Sequence, residues 1–222
     1  MPLSQPAIGG TSVANSILSN VPKSRNIGVE VETIWQPVEN LQFLVNYTYL
    51  DAKITKGLGI DPADTCAENV DAKRTLDAGV SDAFCAIPGE HQWFQDLKGS
   101  HLPNSASNRI TVNGNYTLRL DAGDLTGSLT YVWRGAQYGS IFDRSYYRAP
   151  SWAQVDARVT FKTTDGKNTV IFFAKNLFNQ LGFANGATAT RQVGLPVPGN
   201  YRTTYELTPP RSFGVEIQHK FF

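Results

Sequence analysis

No run of eighteen consecutive apolar residues occurs in this 222-residue sequence, so a helix able to cross a bilayer is excluded. No segment carries a convincing helical period either. Charge of one sign is not in excess: 20 basic and 19 acidic residues leave a net charge of +1. No global field therefore points to nucleic acid or to an acidic partner. The start, Met1-Pro-Leu-Ser-Gln-Pro6, lacks the basic and apolar regions of a secretory leader. His91, His101 and His219 stand far apart with no metal-ligand spacing. No Ser-His-Asp or paired-carboxylate constellation can be assembled, so the sequence predicts neither enzyme activity, metal nor cofactor. Cysteine is scarce, with only Cys66 and Cys85, separated by eighteen residues inside one polar stretch.

What is present is alternation. In the last eleven residues, Phe213, Val215, Ile217, His219 and Phe221 share one face of an extended strand. Ser212, Gly214, Glu216, Gln218 and Lys220 share the other. Successive strand side chains point to opposite faces, so this reads as apolar outside and polar inside. About eleven tilted residues is the length of a bilayer-spanning β-strand. The segment resembles the C-terminal strand of a bacterial outer-membrane β-barrel, whose aromatic end (here Phe221 and Phe222) is recognised by the barrel assembly machinery. The edge strand of a soluble β-sandwich is the second reading. A mean hydropathy of −0.26 permits a barrel, because only alternate residues face lipid. Aromatics at 11%, with nine Tyr and four Trp, suit interfacial girdles and suit a sandwich equally.

The same period recurs upstream. Ile27, Val29, Val31 and Trp35 form one apolar face, opposite Gly28, Glu30 and Glu32. Leu41, Phe43, Val45, Tyr47 and Tyr49 form the next. Ile110, Val112, Tyr116, Leu118 and Leu120 follow, then Leu125, Leu129, Tyr131 and Trp133, then Ala153, Val155, Ala157, Val159 and Phe161. Residues 170–176 are apolar but of unclear phase, because Phe172 and Phe173 are adjacent. With the terminal strand this makes about seven strands.

Their connections alternate in length. Gln36–Asn40, Asp121–Asp124 and Thr163–Asn168 are short and rich in Asp, Gly, Asn or Pro, the chemistry of tight turns. Between them lie about fifty residues from Lys56 to Ser107, about ten from Ser140 to Pro150, and about thirty from Asn179 to Pro209. Short turns at one end and long loops at the other are the arrangement of transmembrane barrels, with short periplasmic turns and long extracellular loops. A Greek-key sandwich does not sort its loops so regularly. A closed bacterial barrel has an even strand count, and seven strands leave two open edges that lipid does not tolerate. The expectation is a C-terminal fragment of something larger, with residues 1–25 the tail of an extracellular loop and 26–222 the barrel segment.

Two regions resemble a particular family. Gly28-Val-Glu30, the Trp35-Gln-Pro37 turn and Tyr47-Thr-Tyr-Leu-Asp-Ala52 are similar to a strand pair of TonB-dependent outer-membrane receptors. Lys175-Asn-Leu-Phe-Asn179 looks like that family's motif at the top of the penultimate strand, and Pro210-Arg-Ser-Phe-Gly214 like the opening of its last. The resemblance spans residues 24–222. It implies an all-β, antiparallel up-and-down meander, the C-terminal part of a 22-stranded barrel whose lumen is plugged. It also implies partners: outer-membrane lipid, the rest of the barrel and its plug domain, the assembly machinery, and TonB, reached through the plug region absent here. The implied role is active uptake of a scarce nutrient. A ferric siderophore is the family's usual cargo, with vitamin B12, a glycan or another chelate as alternatives. A soluble β-sandwich ligand-binding module stands beside this reading at the level of sequence.

Several side chains are then candidates. If the chain is exported, Cys66 and Cys85 are expected to form a local disulfide, contributing roughly 3 kcal/mol by restricting the unfolded chain. Arg109, Arg119, Arg134 and Arg158, with Glu30, Glu32, Asp156 and Glu216, fall on the polar faces and are expected to pair with one another in a wet lumen. Between residues 57 and 95, Asp61, Asp64, Glu68, Asp71, Asp77, Asp82 and Glu90 face only Lys73 and Arg74, and read as a solvated acidic loop. Trp93, Phe94, Tyr146, Tyr147, Tyr201 and Tyr205 are the aromatic loop residues suited to ligand contact, because binding residues concentrate on loops over a rigid scaffold.

Overall fold

The computed structural model describes residues 23–59, 61, 63, 95–191 and 201–221. Cys66, Cys85, Trp93, Phe94 and Phe222 lie outside the described residues, as does most of the acidic run. In chain order the strands are β1 (Lys23–Val38), β2 (Leu41–Lys56), β3 (Leu58–Gly59), β4 (Gln95–Asp96), β5 (Asn108–Leu120), β6 (Gly123–Arg134) and β7 (Gln137–Tyr138). After one 3₁₀ turn at Ser145–Tyr147 come β8 (Arg148–Ala149), β9 (Trp152–Thr163), β10 (Asn168–Lys175), β11 (Thr188–Arg191), β12 (Tyr201–Thr204) and β13 (Ser212–His219).

Seven strands form one antiparallel sheet in the order β1-β2-β5-β6-β9-β10-β13. The other six make three two-stranded hairpins, β3–β4, β7–β8 and β11–β12, one in each long connection. These hairpins have no counterpart in the alternation, being two to four residues per strand. The short connections are Glu39–Asn40, Asp121–Ala122 and Thr164–Lys167. In the last, Gly166 adopts φ +66, a left-handed value that glycine reaches without steric cost.

Register sets the two faces. Directly opposed residues of an antiparallel pair share a face. Val45 lies opposite Val112, Val112 opposite Tyr131 and Tyr131 opposite Val155, so one apolar row crosses four strands. The neighbouring row runs through Asn46, Thr111, Val132 and Gln154. Phe172 pairs with Val159 and Val215, whereas Phe173 pairs with Arg158 and Gly214. That resolves the ambiguous phase of β10: Phe172 is on the apolar face and Phe173 on the polar one. Gly214 is where Phe173 lies flat, since a Cβ there would sit 2.2 Å from the ring's Cζ. The glycine of the Pro-Arg-Ser-Phe-Gly motif thus makes room for an inward aromatic.

Several boundaries differ from the expected ones: β1 runs on through Gln36 to Val38 and β6 begins at Gly123, so both short turns are tighter. β1 starts at Lys23, three residues before the expected position. β13 ends at His219 rather than continuing through Phe221. Its partner β10 begins at Asn168, opposite His219, so only the turn remains to pair with: the Lys220 N–H donates to the Lys167 carbonyl at 2.9 Å.

The sheet has almost no buried interior of its own. Ile27, Val29, Val31, Leu129, Phe172, Phe213, Val215 and Ile217 are exposed, Phe213 at 68% and Ile217 at 73%. Nearly all buried apolar residues sit at the long-loop end: Ala52, Ile54, Ala63, Leu97, Ala106, Tyr147, Ala149, Phe183 and Ala187. Among the described residues there is one large sheet, whereas a sandwich packs two face to face.

Candidate functional site

Two regions hold the polar chemistry: the polar face of the sheet and the loops at one end. On the face, an uncharged ladder runs across β5 and β6. Asn113 Nδ2 donates to Thr130 Oγ1 at 2.7 Å, Asn115 Nδ2 to Asn113 Oδ1 at 2.6 Å, and Ser128 Oγ to Asn115 Oδ1 at 2.6 Å. Beside it a hollow of about 570 Å³ is lined by Asn115, Thr130, Asp156, Arg158, Lys175 and Glu216, among others. It mixes hydrogen-bonding groups with both signs of charge and suits a polar surface or solute.

The expected pairing of lumen charges does not occur among the described residues. Register places Arg109 directly opposite Arg134, Arg158 between Ser128 and Phe173, and Asp156 opposite Thr130. Two of the arginines turn to carbonyls instead: Arg134 Nη1 donates to Ala184 O at 2.7 Å and Arg109 Nη2 to Asn104 O at 3.5 Å. Asp156 accepts the Asn176 N–H at 2.8 Å. Arg119 alone of these forms an ion pair, with Glu39 at 2.9 Å, a turn residue that alternation does not single out.

The loops converge on one buried carboxylate. Asp61 is 0% exposed, and so is not part of a solvated acidic loop. Its Oδ1 accepts the Tyr147 hydroxyl at 2.6 Å and the Ala63 N–H at 3.0 Å, and its Oδ2 accepts the Tyr146 hydroxyl at 2.5 Å. Burial first, and the hydrogen bond to Asp61 second, push both phenols well above the ordinary tyrosine range. The Tyr147 carbonyl accepts N–H groups from Gly139 and Ala187 at 2.8 and 3.1 Å. Gly186 N donates to Asn104 Oδ1 at 2.8 Å. All three long connections are thus tied together. Gly186 sits so close to Gly139 that a Cβ would lie 2.0 Å from the Gly139 nitrogen.

The base of the third connection joins two sequence motifs. Asn176, 4% exposed, donates from Nδ2 to the carbonyls of Gln180 and Pro209, and its Oδ1 accepts the Gln180 N–H. Asn179 Oδ1 accepts the Arg211 N–H at 3.1 Å. Both asparagines hold positive φ, +50 and +52, a conformation Asn tolerates better than most residues. The sequence matches the family described as TonB dependent receptor-like, β-barrel, over residues 2–177.

The chain belongs to that family. No curated protein matches it. Among solved structures of low identity, which speak for the fold, the ferric yersiniabactin uptake receptor FyuA of Yersinia pestis superposes with TM-score 0.60 and 12% identity, over 90% of this chain and 24% of that one. The ferric preacinetobactin receptor BauA of Acinetobacter baumannii gives 0.54 and 17%, over 88% and 22%. The ferric citrate transporter FecA gives 0.55 and 16%, over 89% and 24%. The chain therefore spans about a quarter of the length of these receptors. Membership of the barrel family, with one large sheet among the described residues and an unshielded apolar face, replaces the sandwich reading.

Within this barrel-family chain the aromatic candidates are distributed unevenly. Tyr146 and Tyr147 are adjacent and tilted against each other, with ring centroids 4.7 Å apart, and both hydroxyls are spent on Asp61. Tyr205 packs on Phe183 at 5.2 Å and remains 41% exposed. Tyr201 begins β12. Of the terminal signature, Phe213, Val215, Ile217 and Phe221 are exposed on the apolar side, with Phe221 edge-on to His219. Asp61 is the residue that acidic composition hid. The signal for it is local: Asp-Pro-Ala at 61–63 is a turn sequence in which an Asp side chain accepts the N–H two residues on.

Proposed function

We propose that this chain is the C-terminal part of the barrel of an outer-membrane receptor that takes up a ferric siderophore with energy delivered through TonB. The family match over residues 2–177 carries the reading. It is supported by relatives of the same fold named as ferric chelate receptors or transporters. In this proposal the barrel runs from the start of β1 at Lys23 to residue 222, the residues before it end an extracellular loop, and the plug, the TonB contact and the other strands belong to the rest of a 22-stranded receptor. The apolar face lies against lipid, the polar face toward lumen and plug, and β13 bears the signal read by the assembly machinery. The chain performs no catalysis. Tyr205, Tyr201, Trp93 and Phe94 are the loop aromatics assigned to ligand contact, and Cys66 and Cys85 are joined in an oxidising compartment.

Uptake of radiolabelled iron tests this. Cells lacking the gene that carries this sequence, grown under iron limitation, are offered hydroxamate, catecholate and citrate chelates. The expected result is loss of uptake of one chelate, restored by supplying the intact gene. Unchanged uptake of every chelate, with loss of cobalamin or glycan uptake instead, would overturn the siderophore assignment.

A further inference from the structure

One corner of the apolar face is strongly basic. The face shared by β1 and β2 reads, from the short-turn end, Trp35/Phe43, Thr33/Val45, Val31/Tyr47, Val29/Tyr49, Ile27/Asp51 and Arg25/Lys53 as direct cross-strand partners, followed beyond a one-residue irregularity on β2 by the partners Lys23/Lys56. Like charges directly opposite each other destabilise a strand pair, yet two consecutive such pairs occur here. Asp51 relieves part of this, accepting Arg25 Nη2 at 3.0 Å and Lys53 Nζ at 2.9 Å. Lys23 and Lys56 have no carboxylate partner among the described residues. One carboxylate thus pairs with two of the four cations, and local breaches of folding rules of this kind concentrate at functional sites.

The height of the patch is informative. From Leu41 to Tyr49 the apolar face extends about 27 Å along β2, or roughly 20 Å of membrane depth at the usual tilt. Tyr47 and Tyr49 end it, in the position of an interfacial aromatic girdle. Arg25 and Lys53 lie four residues further, about 9 Å higher at the same tilt. Headgroup layers occupy roughly the outermost 5–8 Å of each side of a bilayer, and Lys and Arg stems reach several ångströms toward either side. The cations therefore stand at headgroup height on the surface that faces lipid, not in the lumen.

We propose that Lys23, Arg25, Lys53 and Lys56 form a binding site for the phosphorylated headgroup of an outer-leaflet lipid, whose acyl chains lie along Val29, Val31, Tyr47 and Tyr49. The inference rests on the outer-membrane barrel reading. Guanidinium and ammonium groups are the donors that match phosphate oxygens. An anionic headgroup supplies the negative charge that the two like-charged pairs lack.

The receptor carrying this chain, purified from outer membranes in neutral detergent, is titrated with bis-phosphorylated lipid A, with dephosphorylated lipid A and with inorganic phosphate. Each Lys or Arg near an anionic headgroup contributes roughly fivefold in affinity. The K23Q/R25Q/K53Q/K56Q variant is expected to bind bis-phosphorylated lipid A at least about fiftyfold more weakly than wild type. The K23Q/K56Q variant keeps the Arg25–Asp51–Lys53 cluster, and with it the strand pairing, and should lose about twenty-five-fold. Dephosphorylated lipid A should bind all three proteins alike, and inorganic phosphate should leave the lipid bound. Equal affinities for the phosphorylated lipid, or its displacement by inorganic phosphate, overturn the site. Heat-modifiable electrophoretic mobility of the same preparations tests the barrel independently: a heat-modifiable protein with equal lipid affinities sinks the patch alone, and a protein without that mobility sinks both.

Discussion

The Tyr147 hydroxyl donates to Asp61 across 2.6 Å, joining residues 86 positions apart. With Tyr146 on the other carboxylate oxygen, this contact holds the first and second long connections together. Replacing Asp61 by Ala leaves two phenols and the Ala63 N–H without their acceptor, at about 1–3 kcal/mol for each buried group. We expect limited proteolysis within residues 135–151 to accelerate at least about tenfold, while the seven-stranded sheet keeps its spectrum. An unchanged cleavage rate would show that Asp61 does not hold the loops.

The same contact sets a pH dependence. Both phenols keep their protons in the folded state above the ordinary value of 10.0, whereas in an opened loop they ionise near it. A group with a raised folded pKa contributes stability that is complete below the unfolded value and lost above it. Hydrogen exchange of loop amides, corrected for intrinsic rate, should be flat to about pH 9 and rise beyond about pH 10. In a Tyr146→Phe/Tyr147→Phe variant the pH-linked rise should vanish, and a rise of equal size there would refute the linkage.

Face assignment can be tested by one-residue steps. Val159 lies between Gly127 and Phe172 on the apolar face, and Thr160 between Thr126 and Ile171 on the other. For a lipid-facing position near mid-membrane, Val159→Arg should cost about 2–4 kcal/mol, and Thr160→Arg close to nothing. Urea midpoints of the receptor refolded in lipid vesicles measure both. Equal losses would contradict the inside–outside assignment.

Close packing of the loops predicts a steric effect at Gly186. Its virtual Cβ falls on the Gly139 backbone, while that of Gly127 meets nothing within 4 Å. Gly186→Val should therefore cost about 1–3 kcal/mol through overpacking, and Gly127→Ala should be neutral or slightly stabilising. Thermal melts of the two variants give the comparison; indifference at Gly186 would mean that these loops are not in contact in solution.

For the cysteines, alkylation of the unreduced protein is expected to label neither Cys66 nor Cys85, and both after reduction. Labelling of both before reduction would remove the disulfide from the account.

Strand positions and faces were largely legible because a period of two leaves its mark in every strand with one apolar side. Phe172-Phe173 obscured it, since only the partners Val159 and Arg158 reveal which ring faces which way. Motif readings at Asn176–Asn179 and Pro210–Gly214 pointed to the right places without revealing that the segments bond to each other through Asn179 and Arg211. The loops were least legible. Asp61, Tyr146 and Tyr147 meet across more than eighty positions, and composition alone placed the carboxylate in water. Charges on the polar faces followed the same pattern: register opposes Arg109 to Arg134, a relation that no list of acids and bases contains.

Beside the Glu39–Asn40 turn an irregularity between Trp35 and Val38 takes up one extra residue, but at the two-residue Asp121–Ala122 turn, and from β5 on to β13, register runs without a break. A single inserted residue in a strand beside such a turn has nowhere to be absorbed and would swap every following side chain from one face to the other. Heritable change in length is thereby confined to the opposite end of the molecule. In the proposed orientation that end faces the outside of the cell, where a loop can lengthen without disturbing a strand.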